Sequence, residues 1–232
     1  MNAIVLAAGL GTRLGRLGHR TPKVLLEFGG EPLLHHHLRY LHAQGVSRVV
    51  VNVHHRASLV QDALRRYRGP VEVICVHEPR LLGTAGGVRN ALAHLGSAPF
   101  LVLYGDIIVR EPIREMLLLH ADRRPAATLA VHRADSTEGK GVVELDETGW
   151  IRRFAEKEGG QPGPALVNSG IYVIAPEVVE PLPRGVFCDF GEHLFPQLLH
   201  QRRPLAAFQL RRPVIDVGTP EGLSLGRSVV GG

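Results

Sequence analysis

The sequence of 232 residues predicts an α/β protein whose central sheet is mixed but mostly parallel and is flanked by helices. In residues 1–120, short apolar segments alternate with segments of helical periodicity, which is typical of a parallel sheet with right-handed crossovers. After residue 120, predicted strands follow one another through short connections, so this half is expected to be partly antiparallel. A glycine-rich stretch follows the first apolar segment, where an open α/β sheet usually binds a ligand.

Each predicted element follows from its apolar pattern. Apolar runs bounded by turn residues predict buried strands, and leucines at helical spacing after Pro32 predict the first helix. The strands are predicted over residues 3–7, 46–53, 71–76, 100–104, 126–132, 141–145, 151–154 and 166–174. The helices are predicted over residues 31–43, 57–67, 83–95 and 220–229. Because there is no internal repeat and no long linker rich in proline or glycine, residues 1–232 are expected to form a single domain.

Composition excludes several classes of protein. The net charge is +5, but the basic residues are scattered and aromatic residues make up only 5%, so we expect no nucleic-acid partner. Apolar runs fall well short of the roughly 18 residues that span a membrane, and no basic region precedes the first one. We therefore expect a cytoplasmic protein with no membrane contact, in which Cys75 and Cys188 are free thiols.

The glycine-rich stretch predicts a phosphate site. Gly9 and Gly11 let the backbone approach a ligand, and Arg13 and Lys23 add fixed positive charge. The dinucleotide fingerprint GxGxxG fails because Leu14 stands at its third glycine, and no stretch supplies the P-loop pattern. A different type of phosphate site is therefore indicated.

The run LAAGLGTRL, residues 6–14, with Pro22 and Lys23 beyond it, resembles the signature of the sugar-1-phosphate nucleotidyltransferases, or nucleotide-sugar pyrophosphorylases. The resemblance implies a Rossmann-like nucleotide-diphospho-sugar transferase fold and catalytic roles for Arg13 and Lys23. The residues that it implies for nucleotide binding are Leu6, Ala7, Ala8, Gly9, Gly11, Thr12, Gly83 and Thr84. It also implies that residues 1–120 form the nucleotide-binding half and residues 121–232 the sugar-phosphate-binding half.

The segment LGTAG, residues 82–86, looks like the base-contacting loop of this family, although Thr84 could equally cap the following helix. Members that use UTP or dTTP often place a glutamine just ahead of this loop, where Leu81 and Leu82 stand here. This departure favours the mannose- and heptose-1-phosphate guanylyltransferase branch, hence GTP with a manno-configured hexose or heptose 1-phosphate. Uridylyl, thymidylyl or cytidylyl transfer to another sugar 1-phosphate stays open.

Two aspartates are candidate ligands of Mg²⁺. Asp106 follows the predicted fourth strand, whose carboxyl end opens on the ligand crevice, and Asp216 lies in VIDVGTP. Mg²⁺ usually takes one or two carboxylates with phosphate and water oxygens. The family pattern places metal ligands at both positions, although Ile215 stands where members often have tryptophan. A turn or helix-cap role for Asp106 and a turn role for Asp216 are the alternatives.

Three further pieces resemble sugar-phosphate-binding segments of the family, in the family's order. Gly141 matches a glycine whose backbone approaches the sugar, and Glu156 and Lys157 match a pair that holds the sugar phosphate. Asn168 matches an asparagine that contacts the sugar. In contrast, the tract His35-His36-His37 is not expected to bind one metal ion, because consecutive helix positions point about 100° apart.

The resemblance implies an enzyme that forms a nucleotide-sugar and pyrophosphate from a nucleoside triphosphate and a sugar 1-phosphate. A non-catalytic nucleotide-sugar-binding regulatory protein on the same fold is the alternative of a different class. Such a protein would be expected to lose Arg13, Lys23 or one of the two aspartates, and all are present. The sequence does not determine the oligomeric state, so a homo-oligomer stays open.

Overall fold

The structure is a computed structural model that describes residues 1–156 and 163–230. The strands are β1 (Asn2–Leu6), β2 (Glu27–Phe28), β3 (Glu31–Pro32), β4 (Arg48–Val53), β5 (Glu72–His77), β6 (Phe100–Tyr104), β7 (Ile107–Ile108), β8 (Ala127–Ala134), β9 (Gly141–Leu145), β10 (Ile151–Glu156), β11 (Ala165–Ile174), β12 (Leu205–Gln209) and β13 (Ile215–Asp216). The α-helices are α1 (Arg16–Arg20), α2 (Leu33–Ala43), α3 (Ala57–Arg66), α4 (Gly83–Leu95), α5 (Arg114–Arg123), α6 (Pro176–Val179), α7 (Phe195–His200) and α8 (Pro220–Val230). Shorter turns are the 3-10 helices Thr12–Leu14 and Lys23–Leu25 and the π-helix Phe190–Leu194.

A nine-stranded sheet forms the centre of the described structure, in the order β10, β9, β11, β6, β1, β4, β5, with β8 paired to β11 and β12 paired to β8. Strands β6, β1, β4 and β5 run parallel. Strand β11 runs antiparallel to β6, β8 and β9, so the second half of the chain is partly antiparallel. The predicted fold class, a mostly parallel α/β sheet flanked by helices, is confirmed.

The core has two layers, one on each face of this sheet. In β1, Ile4 packs into one layer, whereas Ala3 and Val5 pack into the other, and all three are fully buried. Burial on both faces explains why residues 3–6 of β1 and 49–51 of β4 are continuous apolar runs instead of alternating ones. The carboxyl ends of these strands are thereby held at one edge of the sheet, where the loops of the site begin.

A second, two-stranded sheet ties the end of the chain to its middle. Strands β7 and β13 are antiparallel, with Asp216 opposite Ile107. The amide of Val217 donates to the carbonyl oxygen of Asp106 at 2.9 Å. The backbone therefore places Asp216 beside Asp106, although 110 positions separate them in the sequence.

Several elements were not predicted from the sequence. Helix α5, the π-helix with α7, and strand β12 all lie in stretches that the apolar pattern left unassigned. The predicted elements are present, and helix α4 and strands β6 and β9 have the predicted ends. The other predicted elements, including β8 and β10, differ from the structure by one or two residues at one or both ends.

Candidate active site

A cavity of about 300 Å³ opens at the carboxyl end of β1. Its wall combines the glycine-rich loop after β1, the loop before α4, the end of β6 and a segment ahead of the π-helix. The lining residues are Leu6, Ala7, Ala8, Gly9, Lys23, Val24, Asn52, Glu78, Leu81, Gly83, Thr84, Tyr104, Gly105, Asp106, Phe187 and Asp189. This is the edge of a parallel sheet at which α/β proteins bind ligands.

Four charged side chains meet at the mouth of this cavity, and we call Arg13, Lys23, Asp106 and Asp216 the charged quartet. Lys23 Nζ lies 2.6 Å from Asp106 Oδ2. Arg13 donates through NH1 to Asp216 Oδ2 at 3.2 Å and has NH2 4.0 Å from Asp106 Oδ2. The quartet comes from four separate stretches of the chain, and it holds two cations and two carboxylates.

Exposure separates the two cations of the quartet. The side chain of Lys23 is 14% exposed and that of Arg13 is 56% exposed. A charge in a less solvated position interacts more strongly with its neighbours. Lys23 is therefore the cation with the greater electrostatic effect on an anion in the cavity.

Asp216 has two roles, one for each carboxylate oxygen. Oδ1 accepts the amide of Gly218 at 2.7 Å, which is the turn role that the sequence left open. Oδ2 contacts Arg13. A Cβ at Gly218 would lie 2.8 Å from Lys23 Nζ and 3.1 Å from an Arg13 nitrogen, so a side chain there would crowd both cations.

The glycine-rich loop folds tightly between β1 and the quartet. Gly11 has a φ of 70°, a conformation that favours glycine. A Cβ at Gly18 would overlap the Gly11 carbonyl, so α1 packs directly on the loop backbone. Both glycines are needed for the turn that brings Arg13 to the cavity mouth.

The loop before α4 is tied to a segment from the second half of the chain. Thr84 donates through Oγ1 to Asp189 Oδ2 at 2.9 Å and accepts the amide of Phe190 at 2.8 Å. Backbone bonds join Gly86 N to Cys188 O and Cys188 N to Leu82 O. Thr84 is thus a tie between the two halves and does not cap α4.

Asn52 and Glu78 are cavity residues that the sequence analysis missed. Asn52 Nδ2 donates to Glu78 Oε1 at 2.6 Å, and both side chains are buried. Burial raises the pKa of Glu78 above its ordinary value, while hydrogen bonds from Asn52 and Leu82 oppose this shift. Asn52 gave a signal in the sequence, because it interrupts the apolar run VVVNV.

Tyr104, Phe187 and Asp189 also line the cavity and were also missed. Tyr104 is partly buried in the cavity wall, and burial raises the pKa of its hydroxyl well above the ordinary value. Phe187 is 54% exposed, which is unusual for an aromatic ring in a cavity wall. Phe187 and Asp189 lie in a stretch without regular periodicity, so no pattern in the sequence indicated them.

The residues predicted for sugar-phosphate binding form a neighbouring group. A Cβ at Gly141 would lie 2.7 Å from Glu156 Oε2, so these two positions adjoin. Asn168 donates through Nδ2 to the Tyr172 hydroxyl at 2.7 Å, and the Tyr172 ring meets that of Tyr104 edge-on at 5.6 Å. Gly141, Glu156 and Asn168 lie outside the cavity wall as described. Lys157, predicted to hold the sugar phosphate, lies outside the described residues.

The histidine tract binds the protein's own backbone. The Nε2 atoms of His35, His36 and His37 lie 3.2, 2.8 and 2.7 Å from the carbonyl oxygens of Ala63, Phe28 and Ile107. Each histidine contacts a different backbone carbonyl, which agrees with the expectation that the three side chains do not bind one metal ion. Within residues 1–156 and 163–230, no group of three or more His, Cys, Asp or Glu side chains is arranged to hold a metal.

Cys75 and Cys188 are free, as predicted, and burial raises the pKa of both thiols, so neither is poised as a thiolate nucleophile. No helix in the described ranges is long and apolar enough to cross a bilayer.

Comparison with known families identifies the class of protein. Residues 2–226 match the nucleotidyl transferase family, and the chain belongs to that family. This match confirms the resemblance drawn from the LAAGLGTRL run. It covers both the charged quartet and the neighbouring sugar-side group.

Relatives that match this chain include proteins named as mannose-1-phosphate guanylyltransferases. The chain is 33% identical over 231 residues to the mannose-1-phosphate guanylyltransferase catalytic subunit beta of Drosophila melanogaster, covering 97% of this chain and 61% of that protein. It is 31% identical over 227 residues to the mannose-1-phosphate guanyltransferase of Candida albicans, covering 95% of this chain and 62% of that protein. The chain therefore spans about three fifths of the length of these curated relatives.

Solved structures show the same fold. HddC from Yersinia pseudotuberculosis, crystallised with GMP-PN, superposes with a TM-score of 0.84 at 24% identity over 98% of each chain. A putative glucose-1-phosphate thymidylyltransferase from Bacillus anthracis, in complex with sucrose, superposes with a TM-score of 0.87 at 20% identity, over 100% of this chain and 95% of the other. At these identities the two structures establish the fold alone.

Proposed function

We propose that the protein transfers a nucleotidyl group from a nucleoside triphosphate to a sugar 1-phosphate and releases pyrophosphate. The observation that carries this proposal is the charged quartet, because four distant stretches of the chain bring two cations and two carboxylates to the mouth of one cavity. Such a cluster suits a reaction between two anions, in which catalysis consists of positioning and charge neutralisation. Membership of the nucleotidyl transferase family supports the same reaction.

The reaction needs no general base. A phosphate oxygen of the sugar 1-phosphate is already ionised at pH 7 and attacks the α-phosphorus in line. The new P–O bond forms as the bond between the α-phosphorus and the bridging oxygen breaks, and pyrophosphate leaves with the electron pair. Lys23, the less exposed cation, would stabilise charge at the α-phosphate, and Arg13, at the outer edge, would bind the leaving phosphates.

Asp106 and Asp216 are the residues that would hold Mg²⁺. Their carboxylates share Arg13 as a partner, so they lie close enough to contribute to one site. Two hard oxygen donors suit Mg²⁺, which usually completes its shell with phosphate and water. When bound, the ion would neutralise phosphate charge.

The sugar side of the site is proposed from the second group of residues. Glu156 and Asn168 would hydrogen-bond sugar hydroxyls beside the close-packed backbone of Gly141, and Lys157 would bind the sugar phosphate by the family resemblance. On this basis residues 1–120 supply most of the nucleotide site and residues 121–232 most of the sugar-phosphate site, within a single domain. Phe187 and Asp189 are second-half residues that also line the nucleotide cavity.

We infer GTP as the nucleotide and a manno-configured hexose or heptose 1-phosphate as its partner. Leu81 lines the cavity where family members that read pyrimidines often place a glutamine. The names of the curated relatives, mannose-1-phosphate guanylyltransferases, support the same choice. A cytoplasmic location stays a prediction, and a homo-oligomer stays open.

Pyrophosphate release tests the proposal. GTP, CTP, UTP, dTTP and ATP are crossed with mannose, glucose and manno-heptose 1-phosphates in the presence of Mg²⁺. We expect turnover with GTP and a manno-configured sugar phosphate, and loss of turnover when EDTA removes the metal. Binding of a nucleotide-sugar without turnover of any pair would instead favour the regulatory protein.

A further inference from the structure

One buried polar pair connects two loops of the nucleotide cavity. Asn52, at the carboxyl end of β4, accepts the amide of Ala7 through Oδ1 at 2.8 Å. Its Nδ2 donates to Glu78 Oε1 at 2.6 Å, and Glu78 Oε2 accepts the amide of Leu82 at 3.3 Å. The bonds therefore run from the glycine-rich loop, through two side chains, to the loop before α4.

The pair is buried in a way that requires these bonds. Asn52 is 2% exposed and Glu78 is 0% exposed, although both form part of the cavity wall. A buried carboxylate is costly unless hydrogen bonds satisfy it. Gly87 of α4 leaves the space, because a Cβ there would lie 2.6 Å from Glu78 Oε1 and 2.7 Å from Asn52 Nδ2.

The direction of each bond is determined by its partners. The amides of Ala7 and Leu82 can only donate, so Asn52 must present Oδ1 to one side and Nδ2 to the other, and Glu78 must accept from both of its neighbours. Each loop amide is thereby held at a fixed place relative to the other. An apolar pair of the same size would fill the space without this directional constraint.

We propose that Asn52 and Glu78 are a positioning pair that sets the separation of the two nucleotide-binding loops and so determines affinity for the nucleoside triphosphate. The pair touches loop backbone on both sides of the cavity and is on the opposite side of β1 from the sugar-side strands β9 and β11. This inference rests on the proposed function and adds to it. It predicts an effect on the KM for the nucleotide that is separate from the KM for the sugar phosphate.

A polarity swap tests the pair. In Glu78→Gln, the side-chain nitrogen of the new glutamine faces an N–H donor, either that of Asn52 or that of the Leu82 amide. In Asn52→Asp, the new carboxylate faces the carboxylate of Glu78. In the double variant N52D/E78Q, the aspartate accepts from Ala7 and from the glutamine nitrogen, while the glutamine oxygen accepts from Leu82. We expect each single variant to raise the KM for GTP by about tenfold or more, and the double variant to restore it to within about threefold of the parent.

Two further measurements distinguish a positioning role from a general loss of activity or stability. The KM for the sugar phosphate should stay within about twofold in all three variants. Hydrogen exchange should quicken at the amides of Ala7 and Leu82 in the single variants and return to the parental rate in the double variant. Glu72→Gln is the matched control, because Glu72 lies at the opposite end of the β4–β5 pairing from Glu78, where it is exposed and paired with Arg48 at 2.9 Å.

Each outcome decides the inference. A double variant with the nucleotide KM of the worse single variant would overturn it, as would single variants with the parental KM or equal effects on both substrates. If a single variant does not fold, a folded double variant with the parental KM supports the pair, and an unfolded double variant overturns it. If the parent turns over no combination of substrates, the proposed function is refuted. Hydrogen exchange at the amides of Ala7 and Leu82 still decides whether Asn52 and Glu78 hold the two loops.

Discussion

Removing Lys23 should impair the reaction more than removing Arg13, although both cations contact the same carboxylate. Lys23 is 14% exposed and lies 2.6 Å from Asp106, whereas Arg13 is 56% exposed and lies 4.0 Å from it. At an effective dielectric constant of about 20, unit charges at the Lys23 distance attract by roughly 6 kcal/mol before any desolvation cost. For the more solvated Arg13, a dielectric constant nearer that of water brings the corresponding figure to about 1 kcal/mol.

The same difference in solvation applies to the attraction of each cation for a substrate phosphate. Only the part of that attraction that increases between ground state and transition state speeds the reaction. Losing one preorganised, water-shielded charge contact typically slows catalysis by about 10²–10³-fold. We therefore expect Lys23→Ala to lower kcat by about 10²-fold or more, and Arg13→Ala to lower it by about tenfold. The assay is pyrophosphate release at saturating concentrations of the productive substrate pair.

The control is Arg48→Ala, which removes one cation from an exposed ion pair with Glu72 at the far end of β4. Its kcat should stay within about twofold of the parent. Asp106 keeps Arg13 nearby when Lys23 is removed, so Lys23→Ala should fold, which circular dichroism checks. Parental turnover in Lys23→Ala, or a larger loss in Arg13→Ala, would refute the electrostatic reasoning.

Three further predictions test other parts of the site and the core. Asp216→Asn should raise the Mg²⁺ concentration for half-maximal rate by about tenfold or more, because an amide is a weaker ligand; an unchanged metal titration would count against the ligand role. Glu156→Gln should raise the KM for the sugar phosphate and leave that for the nucleotide unchanged, and the opposite pattern would remove Glu156 from the sugar side. Burial lowers the pKa of His132 from 6.5 to about 4, so the unfolded chain binds the extra proton between these values. The free energy of unfolding therefore falls by up to about 3 kcal/mol as the pH drops from 6.5 to 4, and this loss is absent above pH 6.5. In His132→Asn, the denaturation midpoint should depend less on pH over that range than it does in the parent.

The sequence predicted best where pattern and burial coincide. Strand β6 and helix α4 were predicted with their observed ends, because an apolar run and a glycine-led start are local signals. Helix α5 was missed because Met116 is followed by three leucines, a run without helical periodicity. In the structure only Met116 and His120 of this helix are buried, a stripe too narrow to detect.

Strand β12 was missed for a different reason. Its sequence LAAFQ has two alanines, which favour strands weakly, and its place depends on parallel pairing with the distant strand β8. The residues of the site also fall into a group that local sequence patterns predict and a group that they do not. Arg13, Lys23, Asp106 and Asp216 were predicted from linear motifs, and the structure brings them together. Phe187 and Asp189 reach the cavity through tertiary contacts that no local pattern encodes.

Asn52 could be predicted only in part from the sequence. A polar residue inside an apolar strand must find a hydrogen-bond partner when buried, so VVVNV indicated a partner without saying which one. Glu78 could be identified as that partner only from the parallel pairing of β4 with β5, which brings the ends of the two strands side by side.

The charged quartet carries two positive and two negative groups, whose charges cancel one another. An approaching triphosphate therefore meets little long-range attraction from the site itself, and partners must be exchanged at contact distance. The quartet then adds no steering of its own to that of the net charge of +5, and existing ion pairs must open before substrate binds. The kinetic signature of this arrangement is a stopped-flow association rate that falls with ionic strength no more than the net charge of +5 accounts for, and a steeper fall would show that the cancellation fails.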